Sequence, residues 1–396
     1  MGKERIGIMG GTFDPIHQGH IRMAQCALED AELDRVLMLP SGNPPHKTGI
    51  TPALDRYRMV YAACAGMKEL EPSRIEIDRE GVIFTVDTLS ILKEKYPKAE
   101  LYYIIGADTL MELRNWRAWE KVLTMCRFLV CPRSWHYTRE ELHAERRRLK
   151  ELGAHIHMVD MDVIDVSSTG LRQALTAGEA APLLPVQVQE YAASAGLYGH
   201  APRIPQGPWW LDKLFTELTQ KRFSHTLAVA HKARELALRH HLDADKAEIA
   251  GLLHDCAKCM PLKDMQSLCR GHRLTADETI LESGALMHSI AGAFRAETEY
   301  GVSDPEVIEA ILCHTTGRPG MSRLAMAVAL ADSIEPTRAP YPLLEEVRTL
   351  ADISLEKALL LSMEGTTRYV RKKGYYVHPA TQSTIDWLKT LPETQA

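Results

Sequence analysis

The chain has no excess of basic charge. Its 47 Lys and Arg stand against 52 Asp and Glu, a net charge of −5. General electrostatic binding to nucleic acid needs a basic surface, so no nucleic-acid partner is expected. The dense basic run Arg146, Arg147, Arg148 and Lys150 sits among glutamates and reads as a solvated helix face. Long apolar runs are also missing. None approaches the roughly 20 residues that span a bilayer, and the N-terminus enters a strand-like pattern without a signal-peptide hydrophobic region. No membrane partner is expected. The eight cysteines follow no framework spacing, which points to free thiols in a reducing cytoplasm. "CAKC" (256–259) lacks the second pair that a tetrahedral zinc site needs and reads as buried thiols. Internal repeats and low-complexity tracts are absent.

What is present divides in two. A chain of 396 residues exceeds one comfortable core, so two domains are expected. Up to about residue 160, short apolar runs alternate with amphipathic stretches. The runs are "RIGIM", "RVLML", "RIEID", "LYYIIG", "RFLVC" and "HIHMV"; Gln18 to Asp30, Arg56 to Lys68 and Val86 to Lys95 follow helical patterns. Continuous apolar strands separated by helices predict an α/β, Rossmann-like, doubly wound parallel sheet covered on both faces. Ligands in such sheets bind beyond the carboxyl ends of the strands, where the glycines after "RIGIM" stand. Residues 200–208, "HAPRIPQGP", read as a linker. Beyond them helical periodicity takes over: Leu227, Ala230, Ala233 and Ala237 share one face. An all-α second domain is expected, giving 1–199, a linker at 200–208, and 209–396. Ten of the 17 histidines fall at or after residue 200. Oligomeric state stays open, a homo-oligomer included.

In "MGGTFDPIHQGH" roles can be assigned one residue at a time. Gly10 and Gly11 let backbone N–H groups approach phosphate without a Cβ in the way. Thr12 offers a hydroxyl. Gln18 opens a helix whose N-terminus suits an anion. His17 and His20, three apart, can face the same side; alternatively one caps the turn and one packs in the core. The stretch "GGTFDPIHQGH" resembles the signature of the nicotinate-nucleotide adenylyltransferases, within the nucleotidyltransferases that carry an H-x-G-H motif. The resemblance continues in family order through "SGNPPHK" (41–47), "FTVDTL" (84–89), "IIGADTL" (104–110), "LRNWRAWE" (113–120) and "VSSTGLR" (166–172). It implies adenylyl transfer from ATP to nicotinate mononucleotide, giving nicotinate adenine dinucleotide and pyrophosphate.

It also implies roles. His17 and His20 would contact the ATP phosphates, with Gly10, Gly11, Thr12 and Phe13 lining the nucleotide. Lys47 would reach the triphosphate; Ser168, Thr169 and Arg172 would hold the departing pyrophosphate. Gly106 and Asp108 would line the adenosine region, Trp116 would stack on the pyridine ring, and Thr85 would help bind the carboxylate-bearing ring. Each has a plainer alternative: a surface lysine, a core tryptophan, an ordinary N-cap. The chain departs from the family at Ile83 and Phe84, where Ser-Tyr is usual, and loses a hydroxyl. No activated Ser, Cys or Lys nucleophile accompanies these motifs, so direct in-line attack on ATP is expected. Mg²⁺ would arrive with ATP. Another acceptor, nicotinamide mononucleotide or pantetheine phosphate, is the rival reading.

In the second half, "AGLLHDCAK" puts His254 beside Asp255 at the end of an apolar helix. His225, His288, His314 and Asp332 also lie in or beside apolar helical stretches. Unpaired polar groups are costly there, and a shared metal would satisfy several at once; any one histidine alone reads as a satisfied core residue. His231, His240 and His241 read as solvated helix residues. The order H…HD…D resembles the HD-domain metal phosphohydrolases. "HSIAGA", "HTTG" and "ADSIEPTR" resemble the bacterial symmetrical diadenosine tetraphosphate hydrolases. That resemblance implies a dinuclear iron or manganese site cleaving diadenosine polyphosphates to ADP. His225, His254, Asp255 and Asp332 would hold the first metal, His288 and His314 would add the second, and Asp255 would bridge. Lys258, as a catalytic cation, and Arg338 are candidates for the polyphosphate chain, or else plain surface cations. The rival here is a non-catalytic, nucleotide-sensing HD module.

Overall fold

The structure, a computed structural model, describes residues 2–44, 49–132, 137–162 and 164–395. It comprises two compact units, Met1–Val188 and Gln189–Ala396. The division falls ahead of residues 200–208, where a helix begins at Gly207.

The first unit is built on six parallel strands: β1 (Arg5–Gly11), β2 (Arg35–Pro40), β3 (Leu70–Pro72), β4 (Glu100–Gly106), β5 (Arg127–Cys131) and β6 (His155–Met158), in the order β3-β2-β1-β4-β5-β6. Helices cover both faces, so the central strands are apolar on successive residues rather than on alternate ones. Ile6, Ile8, Leu37, Leu39, Tyr103, Ile105, Phe128 and Val130 form one buried cluster with Val86, Leu89 and Leu92 of the helix Thr85–Lys95. The edge strand β6 departs from this: His155 and His157 are exposed, while Ile156 is buried. The chain order reverses between β1 and β4, which pair directly, Ile8 opposite Tyr103. In a doubly wound sheet that is where ligands bind.

One expected strand is not there. "RIEID" (74–78) forms a turn, and β3 lies just upstream at Leu70–Pro72. The Asp78 backbone N–H donates to the Arg74 carbonyl at 2.9 Å, and the Arg74 guanidinium donates to the Asp78 carboxylate at 2.7 Å. A turn closed from both ends leaves no free edge for a sheet ladder.

The second unit is wholly helical. Its longest helix, Gln220–Arg239, buries Leu227, Ala230, Ala233 and Ala237, the face expected from the sequence. It packs on the helix Ala244–Leu253, where Gly251 permits a close crossing: a Cβ there would stand 2.8 Å from the Cα of Ala230. His240 is not solvated. Its ring is buried, with Nε2 2.6 Å from the Ala351 carbonyl oxygen. All eight cysteines are free thiols, and burial pushes Cys256 up to about 12.

Candidate functional site

At the carboxyl ends of β1 and β4 lies a cavity of about 1130 Å³, lined among others by Gly10, Gly11, Thr12, Phe13, His20, Thr85, Gly106, Asp108, Trp116, Ser168, Thr169 and Arg172. Twelve of the sequence-derived residues thus come together. His17 stands behind the wall: it is buried and stacks on His20 with ring centroids 3.7 Å apart. It is the N-cap of the helix Gln18–Asp30. The His17 backbone N–H donates to Nδ1 of His20 at 3.3 Å, so in neutral His20 the proton sits on Nε2, a donor suited to a phosphate oxygen. Lys47 lies outside the described residues.

The loop between β1 and the first helix is held from several sides. Ser168 Oγ donates to the Pro15 carbonyl at 3.0 Å, and Arg172 Nη1 to the Asp14 carbonyl at 2.7 Å. Arg172 Nη2 also donates to Thr169 Oγ1 at 3.2 Å. Phe13 occupies the left-handed region at φ 49, a conformation that non-glycine residues keep only where their surroundings hold them. Its ring meets His20 edge-on at 5.0 Å. Gly10 is required by packing as well as by any ligand, since a Cβ there would lie 2.5 Å from the Tyr103 hydroxyl. Trp116 packs edge-on against Tyr103 at 5.8 Å while lining the cavity. Beside it, the guanidinium of Arg117 sits 4.6 Å from the centroid of the Phe84 ring.

Sequence reasoning missed Arg56, which is fully buried. It donates to the carbonyls of Thr51 at 2.8 Å, Thr12 at 2.7 Å and Gly42 at 3.0 Å. One guanidinium therefore ties together the two loops that follow β1 and β2 beside the cavity. In "LDRYRMV" it looks like any helix-surface cation, and nothing in that stretch marks it out.

In the second unit the six expected metal-binding residues fall into two groups, His225, His254, Asp332 and Asp255, His288, His314, with the donor atoms of each group within 4.8 Å of one another. The helices explain the arrangement. His254 and His314 each follow directly on a helix end, after Leu253 and Cys313, where last-turn carbonyls lack intrahelical donors. Their Nδ1 atoms lie 2.7 Å from the carbonyl oxygens of Gly251 and Ile311. A carbonyl only accepts, so Nδ1 carries the proton and Nε2 is left as a lone-pair donor. Burial lowers the pKa of His254, and lowers His288 and His314 to about 4, so all three are neutral near pH 7.

Asp255, in the second group, also reaches toward the first. Its Oδ1 is 3.2 Å from Nε2 of His288 and 3.8 Å from Nε2 of His314, while its Oδ2 is 3.7 Å from Nε2 of His254. Within the second group the Nε2 atoms of His288 and His314 approach to 3.0 Å. In the first, His225 Nε2 is 3.0 Å and His254 Nε2 is 4.0 Å from Asp332 Oδ1; the buried His254 Nε2 has no hydrogen-bond partner among the described residues. Imidazole lone pairs and carboxylates gathered in a largely buried cluster fit divalent cations. Cations of the chain surround them. Lys258 Nζ is 3.7 Å from Asp255 and Arg338 Nη1 3.6 Å from Asp332. Arg222 Nη1, which the sequence reading did not single out, donates to Asp255 Oδ2 at 2.7 Å. Its place three residues before His225, one turn back on the same helix face, was the available signal.

The cytidylyltransferase-like family matches residues 8–174, and the HD domain family matches residues 222–337. A probable nicotinate-nucleotide adenylyltransferase of Desulfitobacterium hafniense is 40% identical over 198 residues, covering 49% of this chain and 96% of the relative. A probable nicotinate-nucleotide adenylyltransferase/Ap4A hydrolase of Mycoplasma pneumoniae is 29% identical over 366 residues, covering 92% of this chain and 98% of the relative. Among solved structures, a "predicted HD superfamily hydrolase involved in NAD metabolism" from Clostridium acetobutylicum is 37% identical; the match covers 46% of this chain and 95% of that one, with a TM-score of 0.45.

Proposed function

The chain belongs to the nicotinate-nucleotide adenylyltransferase family, and from that premise we propose that it is a two-enzyme fusion. Residues 1–199 transfer the adenylyl group of ATP to nicotinate mononucleotide. A phosphate oxygen of the mononucleotide attacks the α-phosphorus, and the bond to the bridging oxygen of pyrophosphate breaks. His20, Lys47 and Arg172 offset the charge on the phosphates, with His17 acting from behind through its stack on His20, and Ser168 and Thr169 hold the leaving pyrophosphate. Gly10, Gly11, Thr12, Phe13, Gly106 and Asp108 seat the ATP, whose phosphates bring Mg²⁺. Thr85 and Trp116 seat the pyridine ring.

Residues 209–396 split diadenosine tetraphosphate with one water into two ADP. His225, His254, Asp255, His288, His314 and Asp332 would hold a dinuclear iron or manganese centre, with Asp255 between the two groups. Such a centre would supply Lewis acidity and a more acidic water. Lys258, Arg338 and Arg222 bind the polyphosphate. The single observation that carries this half is that one oxygen of Asp255 faces Nε2 of His254, in the first group, and the other faces Nε2 of His288, in the second.

Product analysis with diadenosine tetraphosphate and Mn²⁺ or Fe²⁺ tests it. ADP as sole product, lost in Asp255→Ala, is the expected result; no cleavage, or AMP with ATP, would refute symmetrical hydrolysis. For the first half, turnover on nicotinate mononucleotide is compared with that on the amide-bearing mononucleotide and on pantetheine phosphate. Preference for either of the latter would reassign the acceptor.

A further inference from the structure

The motif "ADSIEPTR" contains a carboxylate that neither metal-binding group uses. Glu335 is 2% exposed and stands just past the helix Arg323–Ile334, three residues beyond Asp332. Its Oε1 lies 3.1 Å from Nδ1 of His225, and its Oε2 accepts from the Thr337 backbone N–H. The local backbone is pinned as well: Arg348 donates through Nε to the Ile334 carbonyl at 3.1 Å and through Nη2 to the Glu335 carbonyl at 2.9 Å. Both carboxylate oxygens and the peptide behind them are therefore fixed.

Helix position explains why His225 needs this partner. His254 and His314 sit at helix ends, where spare carbonyls orient their rings. His225 lies inside the helix Gln220–Arg239, where backbone carbonyls are already used by the i→i−4 ladder. An acceptor must come from elsewhere in the fold. Glu335 arrives from the same helix end that presents Asp332, so one short segment supplies a donor atom for a cation and the partner that aims a second.

We propose that Glu335 is the positioning residue of the first group: it fixes the tautomer and ring plane of His225, so that Nε2 is presented to a divalent cation together with His254 and Asp332. This rests on the metal reading above. A carboxylate accepts only, so Nδ1 donates to Glu335 and keeps its proton, while Nε2, which faces Asp332 Oδ1 at 3.0 Å, is the atom at which a cation shared with Asp332 would replace the proton. Glu335 touches no substrate; it acts through His225.

The test is calorimetric titration of Mn²⁺ into the full chain after chelation and dialysis. The wild type is expected to bind two ions. Glu335→Ala is expected to weaken one of them by about 10- to 100-fold and to leave the other within about 2-fold. Glu335→Gln, which retains shape and an acceptor, is expected to fall between and guards against a folding defect, with thermal melting checked in parallel. His225→Ala should remove the same tight site, and adding Glu335→Ala to it should cause no further loss. Two ions bound at wild-type affinity by Glu335→Ala, or independent and additive losses in the double variant, would overturn the inference. A wild type that binds no Mn²⁺ would instead overturn the metal reading itself, and this inference with it.

Discussion

His20 and Arg56 show how differently two buried polar residues can serve one cavity. His20 lines it and, when neutral, presents a proton on Nε2. His20→Ala is expected to lower adenylyl-transfer kcat by about 10²- to 10³-fold, the scale of losing one preorganised donor to developing charge, as read by pyrophosphate release. Arg56 acts by holding the carbonyls of Thr12, Gly42 and Thr51. Arg56→Met leaves three acceptors without their charged donor and is expected to destabilise the first unit by about 3 kcal/mol or more. Urea unfolding of the full chain, followed through the first unit's transition, measures this; a change under about 1 kcal/mol would contradict the role. The sequence marks these two residues unequally. Histidines bracketed by glycines after a strand advertise a site, whereas an arginine in a helical pattern looks solvated until its burial is known. Glu335 and Arg222 were hidden for the same reason, since the partners that give them meaning come from distant helices.

Among elements, the long apolar strands and the helix Gln18–Asp30 were legible because burial on both sheet faces leaves a continuous hydrophobic run. "RIEID" was not, because its alternation fits a half-buried strand and an ion-paired turn equally well. A second feature with no local signature is a buried carboxyl pair. Glu190 and Glu248 are both fully buried. Arg203 reaches both, at 2.7 Å and 3.2 Å, and Arg234 reaches Glu248 at 2.9 Å. Burial and the charge of Glu190 raise the pKa of Glu248 above its ordinary 4.5. The folded state then holds a proton that the unfolded state has released, so this group's contribution is complete below about pH 4.5 and is lost as pH rises through the raised value. Glu248→Gln, which mimics the protonated carboxyl, is expected to flatten the stability loss of the second unit between about pH 4.5 and about pH 8. A wild type and variant with parallel stability–pH curves would contradict it.

For the whole molecule, the two halves were legible as an alternating pattern giving way to a purely helical one. The place of Asp255 between two groups of ligands was legible only through the family resemblance, because its geometry depends on five helices converging and on the ends of two of them. Cations that bind the folded site but not the unfolded chain must stabilise it, by about 2.7 kcal/mol at a free concentration 100 times Kd. Removing metal by chelation and dialysis is therefore expected to lower the second unit's thermal transition and leave the first unit's unchanged; calorimetric scans before and after Mn²⁺ is restored measure this. The central claim is that one chain carries two separate chemistries, and the most direct test is to assay both in reciprocal variants. His20→Ala should lose adenylyl transfer and keep diadenosine tetraphosphate cleavage, and Asp255→Ala should do the reverse. Loss of both activities in either properly folded variant would contradict the two-site account.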